Sequence, residues 1–392
     1  MHRHFLYMYS KQLLPFKAVV SFVSFSVIVQ AAPLVSIGDN VDIFFNGSSS
    51  VQWQSNVFYD EADEQDDIRF TVSPGFEVNV GRGQSNLDLR IITRYDIIRY
   101  DELSDLDNEL FHIKAISSYR SSRWDVDGLV SLDENQSSGR DGNSNVKGQL
   151  TESETIRANL NGEYRLSPKF SVGSGVSYTD KQYLDRENLA DRESFMIPVD
   201  IFYELTPKVD LSVGYKHTTT EIGETLSKSS YDQERHFFNI GARGNLLPKL
   251  TGFFKVGYTS VDSRNGDSRG TMGLDANFTY AATPKLKTTF ALNRRFGVGG
   301  EGQQTTNTRA NLSANYSINS NYSASANFAY TLREYETLGR EDNVYSTGVR
   351  LSYVPNRYWS FSTGYNYFEN DSNSPNQGYE AHMVDLSASL RY

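Results

Sequence analysis

Residues 156–178 read IRANLNGEYRLSPKFSVGSGVSY, and they decide the fold. Up to the proline, Ile156, Ala158, Leu160, Gly162, Tyr164 and Leu166 alternate with Arg157, Asn159, Asn161, Glu163 and Arg165. A period of two with one apolar face belongs to a β-strand, whereas a helix would repeat near 3.6. Beyond Ser167-Pro168-Lys169 the alternation resumes through Phe170, Val172, Val176 and Tyr178, so the turn joins two antiparallel strands.

The unit returns along the second half of the chain. Thr206-Pro207-Lys208, Leu247-Pro248-Lys249 and Thr283-Pro284-Lys285 repeat the turn, and Ile318-Asn319-Ser320-Asn321 and Val354-Pro355-Asn356-Arg357 occupy equivalent places. Prolines 168, 207, 248 and 284 stand 39, 41 and 36 residues apart, the spacing of a regular hairpin array. At the far end of each hairpin the connection is long and hydrophilic, as in 180–193, 217–234 and 333–343. Short turns at one end and long polar loops at the other mark an outer-membrane β-barrel, with the turns periplasmic and the loops extracellular. Tyr164, Tyr203, Tyr280, Tyr316 and Tyr353 stand two to four residues before their turns on the apolar face, which suits a periplasmic aromatic girdle.

The expected fold is therefore all-β, a transmembrane antiparallel up-and-down barrel of about 18 strands, with 16 as the alternative. The first strand is read through Val41, Ile43, Phe45, Val51, Trp53, Val57 and Tyr59, and the second carries Pro74-Gly75 as a bulge or bend. No stretch is long and apolar enough for a spanning helix, so membrane residence must come from strands. The mean hydropathy of −0.52 would suit a soluble protein, but a barrel reaches it because half of each strand faces water.

Residues 1–31 read as a secretory signal peptide, leaving 32–392 as the barrel domain. Arg3, Lys11 and Lys17 flank a short apolar core from Ala18 to Val29, and small residues precede Ala32. The route expected is export to the periplasm and insertion into a bacterial, Gram-negative outer membrane. Without that leader's three cations, 35 basic residues face 48 acidic ones, a formal −13 that disfavours nucleic acid as a partner. The chain has no Cys, which fits an oxidising compartment.

No motif assigns a catalytic, cofactor-binding or metal-ligating residue. His217, His236 and His382 have outward parity near the loop ends, and only His112 has inward parity, whereas a rim hydrolase needs a His beside Ser, Asn or Asp inside the mouth. Asp141, Asn143, Asn145 and Glu152 have calcium-loop spacing, but Val146 stands where the loop needs glycine. Gly297-Val298-Gly299-Gly300-Glu301-Gly302 spells a dinucleotide fingerprint between two strands, where no helix can hold a pyrophosphate, and reads as a loop. The acidic run from Asp60 to Asp67 is a solvated face that could also hold divalent cations bridging lipopolysaccharide.

Charges of inward parity are more telling. Asp88, Arg90, Arg94, Asp96, Arg157, Glu163, Arg165, Arg243, Arg309, Arg350, Asp385 and Arg391 are expected to line a pore. The reading this supports is a porin-like channel for small hydrophilic solutes or a polysaccharide. Acidic loops would give it a mild cation preference that salt weakens. A structural or surface-interaction barrel with a plugged lumen is the alternative, and a rim hydrolase the remote one.

The chain ends on Val384, Leu386, Ala388, Leu390 and Tyr392, a strictly alternating strand with a terminal aromatic. Leu390 and Tyr392 resemble the assembly signal that the barrel-assembly machinery reads. Together with the repeated turns, the region after Ala32 resembles the putative β-barrel porin family often found beside exopolysaccharide genes. That resemblance implies lipid and lipopolysaccharide as surroundings, and exopolysaccharide export components as candidate partners. It implies no cofactor, and oligomeric state is not written in the residues.

Overall fold

The short turns close themselves with a side chain. Ser167 Oγ accepts from the amides of Lys169 and Phe170 at 3.2 and 3.1 Å, and Thr283 Oγ1 does the same for Lys285 and Leu286 at 3.2 and 3.0 Å. Thr206 repeats the arrangement, while Asn319 and Asn356 use their amide oxygens. The turn-former is the residue before the proline at Ser167, Thr206 and Thr283, Asn319 where no proline stands, and the residue after Pro355 at Asn356. The Leu247 turn has no such oxygen. There the backbone twists instead, with Lys249 at φ 65°, Gly244 at φ 120° and a register shift between Asn245 and Leu247. Lysines then chain one turn to the next: Lys249 Nζ donates to Ala282 O at 3.1 Å and Lys285 Nζ to Ile318 O at 2.9 Å.

The computed structural model describes residues 32–81, 85–138, 150–184, 187–263, 268–336 and 338–392. The residues read as a signal peptide, and Asp141, Asn143 and Asn145, lie outside them. In chain order the strands are β1 (Val35–Ile37), β2 (Val41–Gln54), β3 (Asp67–Val80), β4 (Leu87–Tyr100), β5 (Asn108–Arg120), β6 (Trp124–Ser138) and β7 (Leu150–Arg165). There follow β8 (Phe170–Tyr183), β9 (Arg192–Thr206), β10 (Val209–Ile222), β11 (Tyr231–Leu247), β12 (Leu250–Ser263) and β13 (Ser268–Ala281). The last six are β14 (Leu286–Val298), β15 (Gln304–Ser317), β16 (Tyr322–Tyr335), β17 (Arg340–Tyr353), β18 (Trp359–Ser372) and β19 (Tyr379–Arg391).

Strands β2 to β19 form a closed ring of 18, each antiparallel to its chain neighbours. Closure joins β19 to β2 from Met383↔Gln54 to Arg391↔Asn46, and Tyr392 adds two backbone bonds to Phe45 at 2.6 and 2.9 Å. β1 lies outside the ring, paired with the first three residues of β2. Closure removes every sheet edge along that seam, which in lipid would cost several kcal/mol per unpaired group.

Apolar side chains look outward. Phe70, Val72 and Phe76 on β3, Val199, Ile201 and Tyr203 on β9, and Val213, Phe238 and Ile240 on β10 and β11 are all exposed. An apolar belt of this extent cannot face water. It fits a hydrocarbon surrounding, and no described helix is long and apolar enough to cross a membrane. The described residues hold the same Tyr164, Tyr203, Tyr280, Tyr316 and Tyr353 on this outer face. Tyr164 lies 4.6 Å from the Trp124 ring, Tyr203 5.1 Å from Phe170 and Tyr353 4.6 Å from Tyr322, centroid to centroid.

The strands outrun their apolar segments, and here the sequence reading needs correction. β8 continues to Tyr183, β10 to Ile222 and β16 to Tyr335, through residues expected to be loop. Polar residues above the belt still pair backbone to backbone, and water on both faces hides the alternation. In the opposite direction, Val57 and Tyr59 do not extend β2. They fold back into a buried loop, with Tyr59 at φ 52° against Tyr379 and Phe368. Pro74 makes no bulge: Val72↔Ile97 and Gly75↔Arg94 keep one register, because proline loses a donor but no length.

Candidate pore and its mouth

Side chains on strands three or four apart can meet only on the concave face of a ring. Arg243 of β11 reaches Glu163 of β7 with bonds of 2.7 and 2.8 Å, and Lys255 of β12 reaches Asp200 of β9 at 2.7 Å. These contacts fix which parity is inside. By strand alternation, Asp88, Arg90, Arg94, Asp96, Arg157, Glu163, Arg165, Arg243, Arg309, Arg350, Asp385 and Arg391 all stand on that face.

Most of them are ion-paired. Arg350 holds Asp385 through two bonds of 2.8 and 2.7 Å, and Arg165 meets Asp125 at 3.1 Å. Glu77 is the hub of one cluster. Only 2% exposed, it accepts from Arg90 at 2.9 and 3.0 Å and from Arg391 at 3.0 Å, which ties β3 to β4 and to the last strand. Asn46 and Asn79 complete its acceptor positions at 3.2 and 2.8 Å. Sequence reading missed Glu77 although its parity, between Phe76 and Val78, gave it away.

A second cluster surrounds His112. Its Nε2 lies 3.1 Å from Asp96 and its Nδ1 3.3 Å from Asp133, while Arg94 and Arg157 hold those carboxylates at 2.8 and 3.1 Å. With a carboxylate on each ring nitrogen, the imidazole has no free lone pair to activate a hydroxyl. It clips β4, β5 and β6 together. The acidic run is likewise partly structural: Asp67 is buried and caps the amides of Ile68, Glu102 and Leu103, and Asp60 is buried within its loop.

From β10 to β16 the inner wall differs. It carries Lys216, Arg235, Lys255, Arg295, Arg309 and Arg333 against Asp210 and Asp275. Among the described residues, Lys216, Arg235, Arg295 and Arg309 form no ion pair. Arg295 and Arg333 both stand opposite Asn307, and Arg309 opposite Asn293.

The mouth is shaped by one departure from regular pairing. β13 and β14 pair only from Leu274↔Arg294 to Ala281↔Lys287, so 268–273 and 295–298 part company. The upper end of β14 leans inward. Arg235 of β11 donates to Phe296 O, Arg192 of β9 to Val298 O at 2.6 Å, and Ala190 N to Gly300 O at 2.8 Å. Tyr231 and Lys228 both bond Gly302 O, at 2.9 and 3.3 Å. Gly302 takes φ 74°, and a Cβ there would stand 3.3 Å from Ile222 and 3.5 Å from Ala190. Gly299 to Gly302 form a loop, as the sequence suggests, but one pinned across the mouth, while Gly297 and Val298 end β14. Guanidinium groups take the carbonyls that β13 leaves unpaired.

A ring of 18 strands with an apolar outside and a charged inside is the architecture of a porin, and residues 46–392 match the family model described as "Putative beta-barrel porin 2". The chain belongs to that porin family. No curated protein matches its sequence. Solved outer-membrane proteins resemble the porin at low identity. The FrpB iron transporter of Neisseria meningitidis is 9% identical with a TM-score of 0.50, over 91% of this chain and 82% of that one. OpdO of Pseudomonas aeruginosa is 9% identical with a TM-score of 0.49, over 90% and 97% of the two chains. OpdK of the same organism, solved with vanillate, is 10% identical with a TM-score of 0.46, over 90% and 99%. At these identities the likeness concerns the porin's barrel alone.

Proposed function

We propose that the chain is an outer-membrane channel that passes small hydrophilic solutes, or a polysaccharide strand, through its ring. The carrying observation is the inner face itself: charged on every side, while the outer face is apolar. A barrel of this strand number encloses room for water. The short-turn end, where β2 begins and β19 ends, is taken as periplasmic, and Leu390 and Tyr392 as the segment given to the barrel-assembly machinery. Lys216, Arg295 and Arg309 stand closer to a passing solute than the acidic loops do. They favour solutes that carry negative charge, while the loops attract cations only where salt is low.

One observation favours a second reading. The segment 299–303, pinned across the mouth, could plug it. Planar-bilayer recordings of the folded protein, beside a variant with 299–303 replaced by a two-residue turn, separate the two. The channel reading expects conductance steps from both, larger in the variant. If only the variant conducts, the wild-type lumen is plugged and a surface-interaction barrel takes the channel's place.

A further inference from the structure

The outer face carries a cluster that no pore function uses. His217 of β10 and His236 of β11 are directly paired across the ladder, one step above the row of Tyr215, Phe238 and Tyr258. Their Nδ1 atoms face each other at 3.3 Å, and the rings lie 4.9 Å apart. Glu234, two residues along β11 on the same face, brings a carboxylate oxygen, so that three ligand atoms lie within 4.8 Å of one another. Asp262 of β12, paired with Glu234, places Oδ2 3.8 Å from the other ring nitrogen of His236.

Hydrogen bonding alone satisfies this group poorly. The Tyr215 hydroxyl lies 2.8 Å from the same Nδ1 of His236 that His217 faces. An imidazole nitrogen has one lone pair, which cannot serve two donors well; if neither histidine donates, two lone pairs oppose each other. A cation between them removes the conflict. Zinc–nitrogen bonds of about 2.0–2.1 Å in a tetrahedron put neighbouring ligands roughly 3.3 Å apart, which is the separation seen. The ligands sit on paired strands, where the ladder fixes their spacing more firmly than a loop would.

We propose that His217, His236 and Glu234 form a divalent metal site of the zinc class on the outer rim. The fourth position is open to water, and Asp262 is the carboxylate partner that orients His236. Two imidazoles and one carboxylate suit Zn²⁺ and its neighbours; Ca²⁺ and Mg²⁺ prefer all-oxygen sites. A bound ion ties β10 to β11 directly beside the apolar belt. The site is independent of the channel reading, because it faces away from the lumen.

The test is calorimetric titration of tag-free, detergent-folded protein with ZnCl₂, with CaCl₂ and MgCl₂ as controls. One Zn²⁺ is expected to bind per chain, and the two controls none. His217→Ala and His236→Ala should abolish binding, Asp262→Asn should weaken it about tenfold, and His382→Ala, on another part of the outer face, should leave it unchanged. Heat-modifiable migration establishes that each variant is folded. Absence of Zn²⁺ binding by folded wild type, or binding that survives both histidine substitutions, overturns the site.

Discussion

Two stretches of the inner wall are built on different electrostatic plans. Between β3 and β7, five inward arginines each meet a carboxylate: Arg90 with Glu77, Arg94 with Asp96, Arg120 with Asp127, Arg157 with Asp133 and Arg165 with Asp125. Between β10 and β16, Lys216, Arg235, Arg295 and Arg309 form no ion pair among the described residues. The first wall spends its charges on joining neighbouring strands, and its far field largely cancels. The second holds Arg235 against the Phe296 carbonyl but leaves Lys216, Arg295 and Arg309 to act on whatever enters the lumen. On the channel function proposed above, the first wall holds the ring and the second selects the solute.

Reversing charge on the free wall is the strongest way to break that comparison. Arg295→Glu combined with Arg309→Glu should change the sign of the reversal potential under a KCl gradient whose lower side is about 1 M, from anion to cation preference. At that salt the screening length is about 3 Å, so the loops contribute little and wall charges dominate. Neutralising the paired wall by Arg94→Gln with Asp96→Asn should leave the potential where it was. Equal shifts from both pairs would erase the distinction.

Stability should respond the other way round. Glu77→Leu strands Arg90 and Arg391 around a buried apolar group and should cost about 3 kcal/mol, the low end for breaking a buried pair because Arg90 is half exposed. Arg309→Met should stay within about 0.5 kcal/mol of wild type. Urea midpoints of the two variants in one lipid make the measurement, and comparable losses would mean that both walls are structural.

The smallest expected effect lies beneath the parted strands. Thr283→Ala removes the oxygen that closes the β13–β14 turn at two amides, a loss of about 1 kcal/mol in unfolding free energy. Thr283→Ser keeps that oxygen and should keep the stability. If Ala and Ser behave alike, proline alone makes the turn.

The architecture was legible because a barrel strand is defined locally. Outward and inward residues alternate one by one, and Ile156 to Tyr178 display two strands and a turn without reference to anything distant. Parity alone therefore put Arg157, Glu163 and Arg243 inside and Tyr164 and Tyr203 outside. The reading failed where both faces of a strand meet water, as above the belt in β8 and β10, since alternation vanishes though the ladder continues. It also passed over the serine and threonine that close the turns, whose role shows only when amide positions are known.

What the sequence determined by itself is the β period, the turn repeat, the ring and the side on which each residue lies, because these depend on neighbours within about two residues. The tertiary structure alone decided which inward charges find partners. Glu163 and Arg243 are 80 residues apart, Glu77 and Arg391 314 apart, and only the curvature and closure of the ring bring them together. The same holds for the inward lean of β14, which needs Arg192 and Arg235 from distant strands, and for the opposed nitrogens of His217 and His236. Register across strands is a property of the closed sheet, and no single stretch of chain contains it.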